Sequence, residues 1–112
     1  MDTIWKILST EQAVHLLKEK HFAGSPDDLR DGFIHFSTLT QLRGTLDKHF
    51  AGQSGLYAVE LPTNALGDAL RWEPSRNGDL FPHLYSDFNI DDVLAIRPLT
   101  AAVRERLGLV QN

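Results

Sequence analysis

The sequence predicts an α+β fold, in which helices flank one or two small, mostly antiparallel sheets. The predicted elements follow the order β-α-β-α-β-β-β-α along the 112 residues. The strands are short and partly amphipathic, and the long apolar runs that are typical of a doubly wound parallel sheet are missing. No repeat, linker or low-complexity tract interrupts the pattern. We therefore expect a single domain over residues 1–112, which is a common size for one domain.

The first half of the chain alternates strand-like segments with helix start signals. Residues 3–8 (TIWKIL) mix β-branched, aromatic and apolar side chains, which predicts a strand. Ser9 followed by Gln12 has the spacing of a capping box and predicts a helix over 10–20. Cap, proline and acidic residues at 25–28 then predict one further helical turn, which ends near the Asp31-Gly32 pair.

Residues 32–37 (GFIHFS) predict the second strand, with Phe33 and His35 on one face and Ile34 and Phe36 on the other. A helix over 41–50 follows, capped by Thr38 or Thr40. Further strands are predicted over 56–61, 70–73 and 93–99, with a helical turn over 64–69 and a loop over 74–78. A terminal helix begins after Thr100 as its cap and has Gly108 after its end.

Composition and charge narrow the class of protein. The chain has no cysteine, which excludes disulfides, thiolate metal sites and a cysteine nucleophile. We see no signal peptide, and no apolar run approaches the roughly 20 residues needed to cross a bilayer. We therefore predict a cytoplasmic monomer with no membrane partner. The net charge of −4 disfavours long nucleic acids, although a few local arginines could still bind a small phosphorylated molecule.

The first motif with chemical content is GFIHFST, residues 32–38. Histidine side chains can gain or lose a proton near neutral pH, so His35 could serve as an acid, a base or a phosphate partner. Ser37 and Thr38 could donate hydroxyl groups to a ligand. The alternatives are structural: a buried histidine bonded to a backbone carbonyl, and hydroxyl residues that only cap the next helix.

The second motif is RWEPSRNGDLFPHLY, residues 71–85. Arg71 and Glu73 lie on one side of a strand and form either an ion pair or a guanidinium and a carboxylate for one ligand. Arg76 beside an Asn-Gly turn suits a phosphate or carboxylate, or is a solvated loop arginine. His83 and Tyr85 share a side if the segment is extended. The aromatic residues of the motif either wall a pocket or fill the core.

A metal site is not predicted. His35, His49, His83 and Glu73 would be enough ligands for zinc, but no HxH, HxxxH or HExxH spacing occurs. The chain also lacks the GxSxG elbow of many serine hydrolases.

Four stretches together resemble the small bacterial proteins catalogued as domain of unknown function 952. They are residues 4–9, 22–38, 41–52 and 70–85. That family in turn resembles the ADP-ribosyltransferase fold, which implies a split sheet around a cleft with NAD or ADP-ribose as cofactor. The opening strands are similar to those of RNA 2′-phosphotransferases, with Ile34-His35-Phe36-Ser37 as the second strand. Lys6-Ile7-Leu8 stands where those enzymes usually carry His-Gly-Thr, and Glu73 is the nearest residue to a transferase glutamate.

Three functions follow from these observations. In the first, an enzyme or enzyme-derived site binds a nucleotide-like phosphorylated ligand through Arg71 and Arg76, with His35 and His83 as acid and base and Glu73 on a ribose hydroxyl or as base. The second is a binding module without turnover, which the changed first strand favours. The third is a buried polar network that only specifies the fold.

Overall fold

The computed structural model describes residues 2–110, apart from the side chain of Arg76. It confirms a mixed fold of helices and antiparallel sheets. The strands are β1 (Thr3–Ser9), β2 (His21–Phe22), β3 (Ile34–His35), β4 (Leu56–Pro62), β5 (Leu70–Pro74), β6 (Leu80–Leu84), β7 (Phe88–Asn89) and β8 (Ala95–Pro98), and the α-helices are α1 (Thr10–Glu19), α2 (Pro26–Asp31), α3 (Leu39–His49) and α4 (Ala101–Arg106).

The strands form two three-stranded sheets and one short pair. The first sheet has the order β1-β4-β8, the second has the order β3-β6-β5, and β2 pairs with β7. Every pairing is antiparallel. A backbone bridge joins the two larger sheets: the Trp5 amide donates to the Ser37 carbonyl at 2.8 Å, and the Ser37 amide donates to the Trp5 carbonyl at 2.9 Å.

Local capping explains where the helices begin. α1 begins after a reciprocal capping box between Ser9 and Gln12, as the sequence predicts. α3 has the same arrangement, and its cap is Thr38 rather than Thr40. Thr100 caps α4, and Gly108 takes the left-handed conformation just after it, with φ of 74°.

The core has two parts, and both use β1. The first contains Ile4 and Leu8 of β1, which pack with residues of α1, β4 and β6, and the second contains Trp5 and Ile7 together with Leu42 and Leu46 of α3. Since side chains alternate along a strand, β1 serves both. No helix within residues 2–110 has the length and apolar content that a membrane crossing requires.

The structure adds strands that the sequence did not predict. β2 and β7 have two residues each, which is too short for any periodicity. β6 is the central strand of its sheet although it contains Pro82, a residue that usually argues against a central strand. The Pro82 carbonyl accepts from the Phe36 amide at 3.0 Å, so the missing N–H does not prevent pairing. The predicted strand over 32–37 is reduced to Ile34–His35.

Candidate functional site

A cavity of about 270 Å³ lies beside the bridge that joins the two larger sheets. Residues of β1, α2, α3 and β6 line it, together with the segment 35–37. Three of the predicted site residues line this cavity, namely His35, Ser37 and His83. Antiparallel register places His35 opposite His83, and His83 opposite Arg71, so the three side chains share one face of the second sheet.

Asp28 is the centre of a buried polar network at one wall of the cavity. Its two carboxylate oxygens lie 3.0 and 2.8 Å from Nζ of Lys6. The same carboxylate accepts from the Ser25 amide at 2.8 Å and from the His35 amide at 3.1 Å. Asp28 is 2% exposed and Lys6 is 7% exposed, so this ion pair is almost completely removed from water.

The electrostatics of this pair reflect burial and close contact. Burial raises the pKa of the Asp28 carboxyl, but the hydrogen bond from His35 and the charge of Lys6 outweigh it and hold that pKa well below its usual range. Burial is the largest influence on Lys6 and lowers the pKa of its ammonium, and Asp28 only partly opposes the shift. The carboxylate form of Asp28 is therefore the form that the fold stabilises.

His35 is held at both ring nitrogens. Nδ1 lies 2.6 Å from Oδ1 of Asp28, and Nε2 lies 3.0 Å from Oδ2 of Asp31. Because ionised carboxylates only accept hydrogen bonds, this arrangement suits a ring that carries both protons. His35 therefore anchors α2 to β3, and neither nitrogen is free for a ligand in this arrangement.

Among the described residues, His83 is held at one nitrogen. Nδ1 lies 2.8 Å from Oε1 of Glu73, and the hydroxyl of Tyr85 donates to the same oxygen at 2.7 Å. The ring stacks on Phe33 with centroids 4.1 Å apart. Hydrogen bonds from Tyr85 and His83 lower the pKa of Glu73, and the bond to Glu73 raises the pKa of Tyr85.

The other ring nitrogen of His83 remains available. Nε2 has no hydrogen-bond partner among the described residues. The described side chains also contain no fully buried nitrogen or oxygen that lacks a partner, and His83 is 6% exposed. Since His83 lines the cavity, this nitrogen is the one that it can present there.

The other predicted ligand residues lie in different surroundings. Ser37 is buried and its hydroxyl is 2.8 Å from that of Thr45, while the Thr38 hydroxyl caps α3. Arg71 and Tyr85 are exposed beyond the cavity lining, where the guanidinium lies over the Tyr85 ring at 4.8 Å from its centroid. The backbone of Arg76 lies in the turn Arg76–Gly78, and its side chain is outside the described part of the structure.

Sequence reasoning missed Lys6, Asp28 and Asp31 as site residues. Asp28 was interpreted only as an acid in the first helical turn, although it is also the capping-box partner of Ser25. The signal that could have revealed this pair is the lysine inside the apolar run TIWKIL. A lysine that is buried in the middle of a strand needs a counter-ion, so an acidic partner could have been expected. Within residues 2–110, no group of three or more His, Asp or Glu side chains is arranged to hold a metal ion.

Comparison with known proteins supports one part of the predicted resemblance. A model of the family described as Protein of unknown function (DUF952) matches residues 7–96. The crystal structure of protein CC0527 from Caulobacter crescentus is 36% identical with a TM-score of 0.86, covering 96% of this chain and 99% of that chain. The solution NMR structure of CC0527 gives 36% identity and a TM-score of 0.82, with coverage of 98% and 100%. No curated protein matches the chain. These matches do not support the ADP-ribosyltransferase resemblance, which stays a prediction.

Proposed function

The chain belongs to the DUF952 family, and we propose that its cavity binds a small phosphorylated ligand of the nucleotide type. The observation that carries the proposal is the charge around the cavity. The whole chain has a net charge of −4, yet the lining contains three lysine or arginine residues and three aspartates. A lining in which these charges balance repels an anion less than the acidic remainder of the chain does.

The acidic side chains of the lining are occupied by internal partners. Asp27 pairs with Arg30, Asp28 pairs with Lys6 and His35, and Asp31 pairs with Arg30 and His35. Lys48, in contrast, forms no ion pair within the described part of the chain. Its ammonium group is therefore the cation that a ligand phosphate would meet without first displacing a carboxylate.

The size and surface of the cavity also fit this class of ligand. A volume of about 270 Å³ is close to the lower end of small-molecule sites, which are typically about 300–1,000 Å³. Hydroxyl groups of Ser37, Thr45 and Ser75 supply polar contacts, and aromatic rings such as Phe81 supply an apolar surface. NAD and ADP-ribose are the first ligands to test because the resemblance to RNA 2′-phosphotransferases implies them.

The test compares ligands with and without phosphate. We expect NAD, ADP-ribose or AMP to raise the free energy of unfolding by about 2.7 kcal/mol at 100 times its dissociation constant. Adenosine, which lacks phosphate, should stabilise the protein much less. Thermal unfolding measures both. Equal stabilisation by adenosine, or none by any of the four compounds, would contradict the proposal.

A matched pair of lysines places the ligand. Lys48 lies in the last turn of α3 and Lys18 lies in the last turn of α1, and both are exposed. Lys48→Ala should weaken binding of AMP about 10- to 100-fold, since a hydrogen bond to a charged group contributes about 1.5–3 kcal/mol. Lys18→Ala should leave the affinity unchanged. Equal affinities of the two variants would show that the phosphate binds elsewhere.

A second candidate is a purely structural role for the polar residues. The network of Lys6, Asp28 and His35 favours it, because the contacts described for these side chains are all internal. If these residues have only a structural role, none of the four compounds will bind, and substitutions in the network will change only the stability of the protein.

A further inference from the structure

We propose that His83 is a general base of the cavity, with Glu73 as its positioning residue, and that the site hydrolyses a phosphate ester of the ligand it binds. This inference rests on the proposed function, because it needs a phosphorylated ligand in the cavity. It goes further by assigning a reaction class and a reacting atom, which is Nε2 of His83. The experiments below separate a failure to bind from a failure to react.

The first argument is the tautomer. Glu73 accepts a hydrogen bond from Nδ1 of His83 at 2.8 Å, so in the neutral ring the proton is on Nδ1. The lone pair is then on Nε2, the nitrogen that has no partner among the described residues. A carboxylate that orients a histidine in this manner is a recurring arrangement for proton transfer in hydrolytic sites.

The second argument is rigidity. The Tyr85 hydroxyl donates to the same Glu73 oxygen at 2.7 Å, which fixes the carboxylate from a second direction. Phe33 stacks on the imidazole at a centroid distance of 4.1 Å and an interplanar angle of 28°. Stacking on Phe33 therefore restrains the face of the imidazole, and the hydrogen bond to Glu73 restrains its edge. Such restraint favours a general base, because the lone pair must be aligned with the proton that it accepts.

The third argument is the contrast with His35, whose ring centroid lies 5.7 Å from the ring centroid of His83. In the described part of the chain, both nitrogens of His35 contact carboxylates, whereas His83 contacts one carboxylate through one nitrogen. Of these two neighbouring histidines, His83 therefore has the nitrogen that can accept a proton from a bound molecule.

The reaction can be written with water as the second substrate. Nε2 of His83 takes a proton from the water molecule while the water oxygen forms a bond to phosphorus. The bond between phosphorus and the ester oxygen breaks, and that oxygen leaves with the electron pair and takes a proton from solvent. His83 then releases its proton to solvent. The products are an alcohol and inorganic phosphate.

p-Nitrophenyl phosphate is a suitable probe because it is a small phosphate ester with a visible leaving group. We expect the wild type to hydrolyse it, and His83→Asn to lower kcat about 10²- to 10⁴-fold, which is the range of general acid–base catalysis. Asparagine keeps a donor for Glu73 but removes Nε2. His15→Asn, which removes an exposed imidazole on α1, should leave kcat unchanged.

Glu73→Gln tests the positioning role. The glutamine amide can either donate to or accept from Nδ1, so we expect kcat to fall while KM stays near the wild-type value. Nitrogen-15 NMR of His83 should show the Nδ1–H tautomer in the wild type and a mixture in Glu73→Gln. A purely structural role for Glu73 would leave the tautomer unchanged.

The outcomes distinguish the two proposals. Binding of p-nitrophenyl phosphate without turnover would overturn the general base and leave the binding site intact. Turnover that survives in His83→Asn would overturn the role of His83. Absence of binding would overturn the proposed function, and the NMR spectrum of the wild type would then decide the dyad by itself, since an Nε2–H tautomer contradicts it.

Discussion

Replacing Asp28 by Asn changes one atom of a buried side chain and should destabilise the protein strongly. The carboxylate faces Lys6, the Ser25 amide, the His35 amide and Nδ1 of His35, all of which are donors. An amide nitrogen at Oδ1 would face Lys6 and both donors of His35. Placed at Oδ2, it would face Lys6 and the Ser25 amide. Either orientation sets a donor against donors and also removes the counter-charge of Lys6.

The magnitude follows from burial. Lys6 and Asp28 are 7% and 2% exposed, so the remaining lysine charge would be left without its partner and out of water. Breaking a buried ion pair on one side costs about 3–5 kcal/mol, a large part of the 5–15 kcal/mol that typically stabilises a domain. With a urea dependence of about 1–3 kcal/mol per molar, the urea midpoint should fall by at least about 1 M.

Urea unfolding followed by circular dichroism measures this change, and the adjacent residue supplies the control. Asp27 pairs with Arg30 at 3.2 Å, but both side chains are more than two-thirds exposed. Exposed ion pairs contribute little, so Asp27→Asn should unfold close to the wild type. If Asp28→Asn were no less stable than Asp27→Asn, the reasoning from burial would be refuted.

Three further predictions concern stability. The folded state holds the pKa of Asp28 below its unfolded value of about 3.9, so the contribution of this carboxylate to the free energy of unfolding is complete above that pH and is lost as the pH falls further. Acid unfolding should show this loss of stability in the wild type and less of it in Asp28→Asn. Gly24→Ala should destabilise the protein more than Gly32→Ala in thermal unfolding. Both glycines have positive φ, but of the two only Gly24 would bring an added Cβ close to another atom, 2.9 Å from Cβ of Asp28. Equal losses of stability would contradict that contact. Leu42→Ala should cost about 2–5 kcal/mol in urea unfolding, whereas Leu39→Ala, on the exposed face of the same helix, should cost much less.

Much of the secondary structure was predictable because its causes are local. The capping boxes join residues three positions apart, so Ser9 with Gln12 already indicates the start of α1. The alternation in residues 32–37 correctly placed Phe33 and His35 on one face and Ile34 in the core. The strands β2 and β7 were not predictable, because their backbone pairing depends on segments far away in the chain.

The site was predictable only in part. The two motifs identified His83, Glu73 and Tyr85, and the structure brings these three together through hydrogen bonds. The same motifs did not separate Arg71, which lies over Tyr85 outside the cavity lining, from residues that line it. Sheet register makes neighbours of residues on one face, but the position of α2 and α3 decides which of them border the cavity.

The sequence by itself determined the class of fold, the helix starts, the family and the two segments that carry the polar residues. Tertiary structure decided the roles of those residues. Lys6 and Asp28 are 22 positions apart, and their contact depends on how α2 packs beside β1. The same packing places two carboxylates on His35, whereas Nε2 of His83 has no partner in the described part of the chain. The physical reason is that a propensity or a cap acts over a few residues, whereas the partner of a buried charge is chosen by the folded chain as a whole.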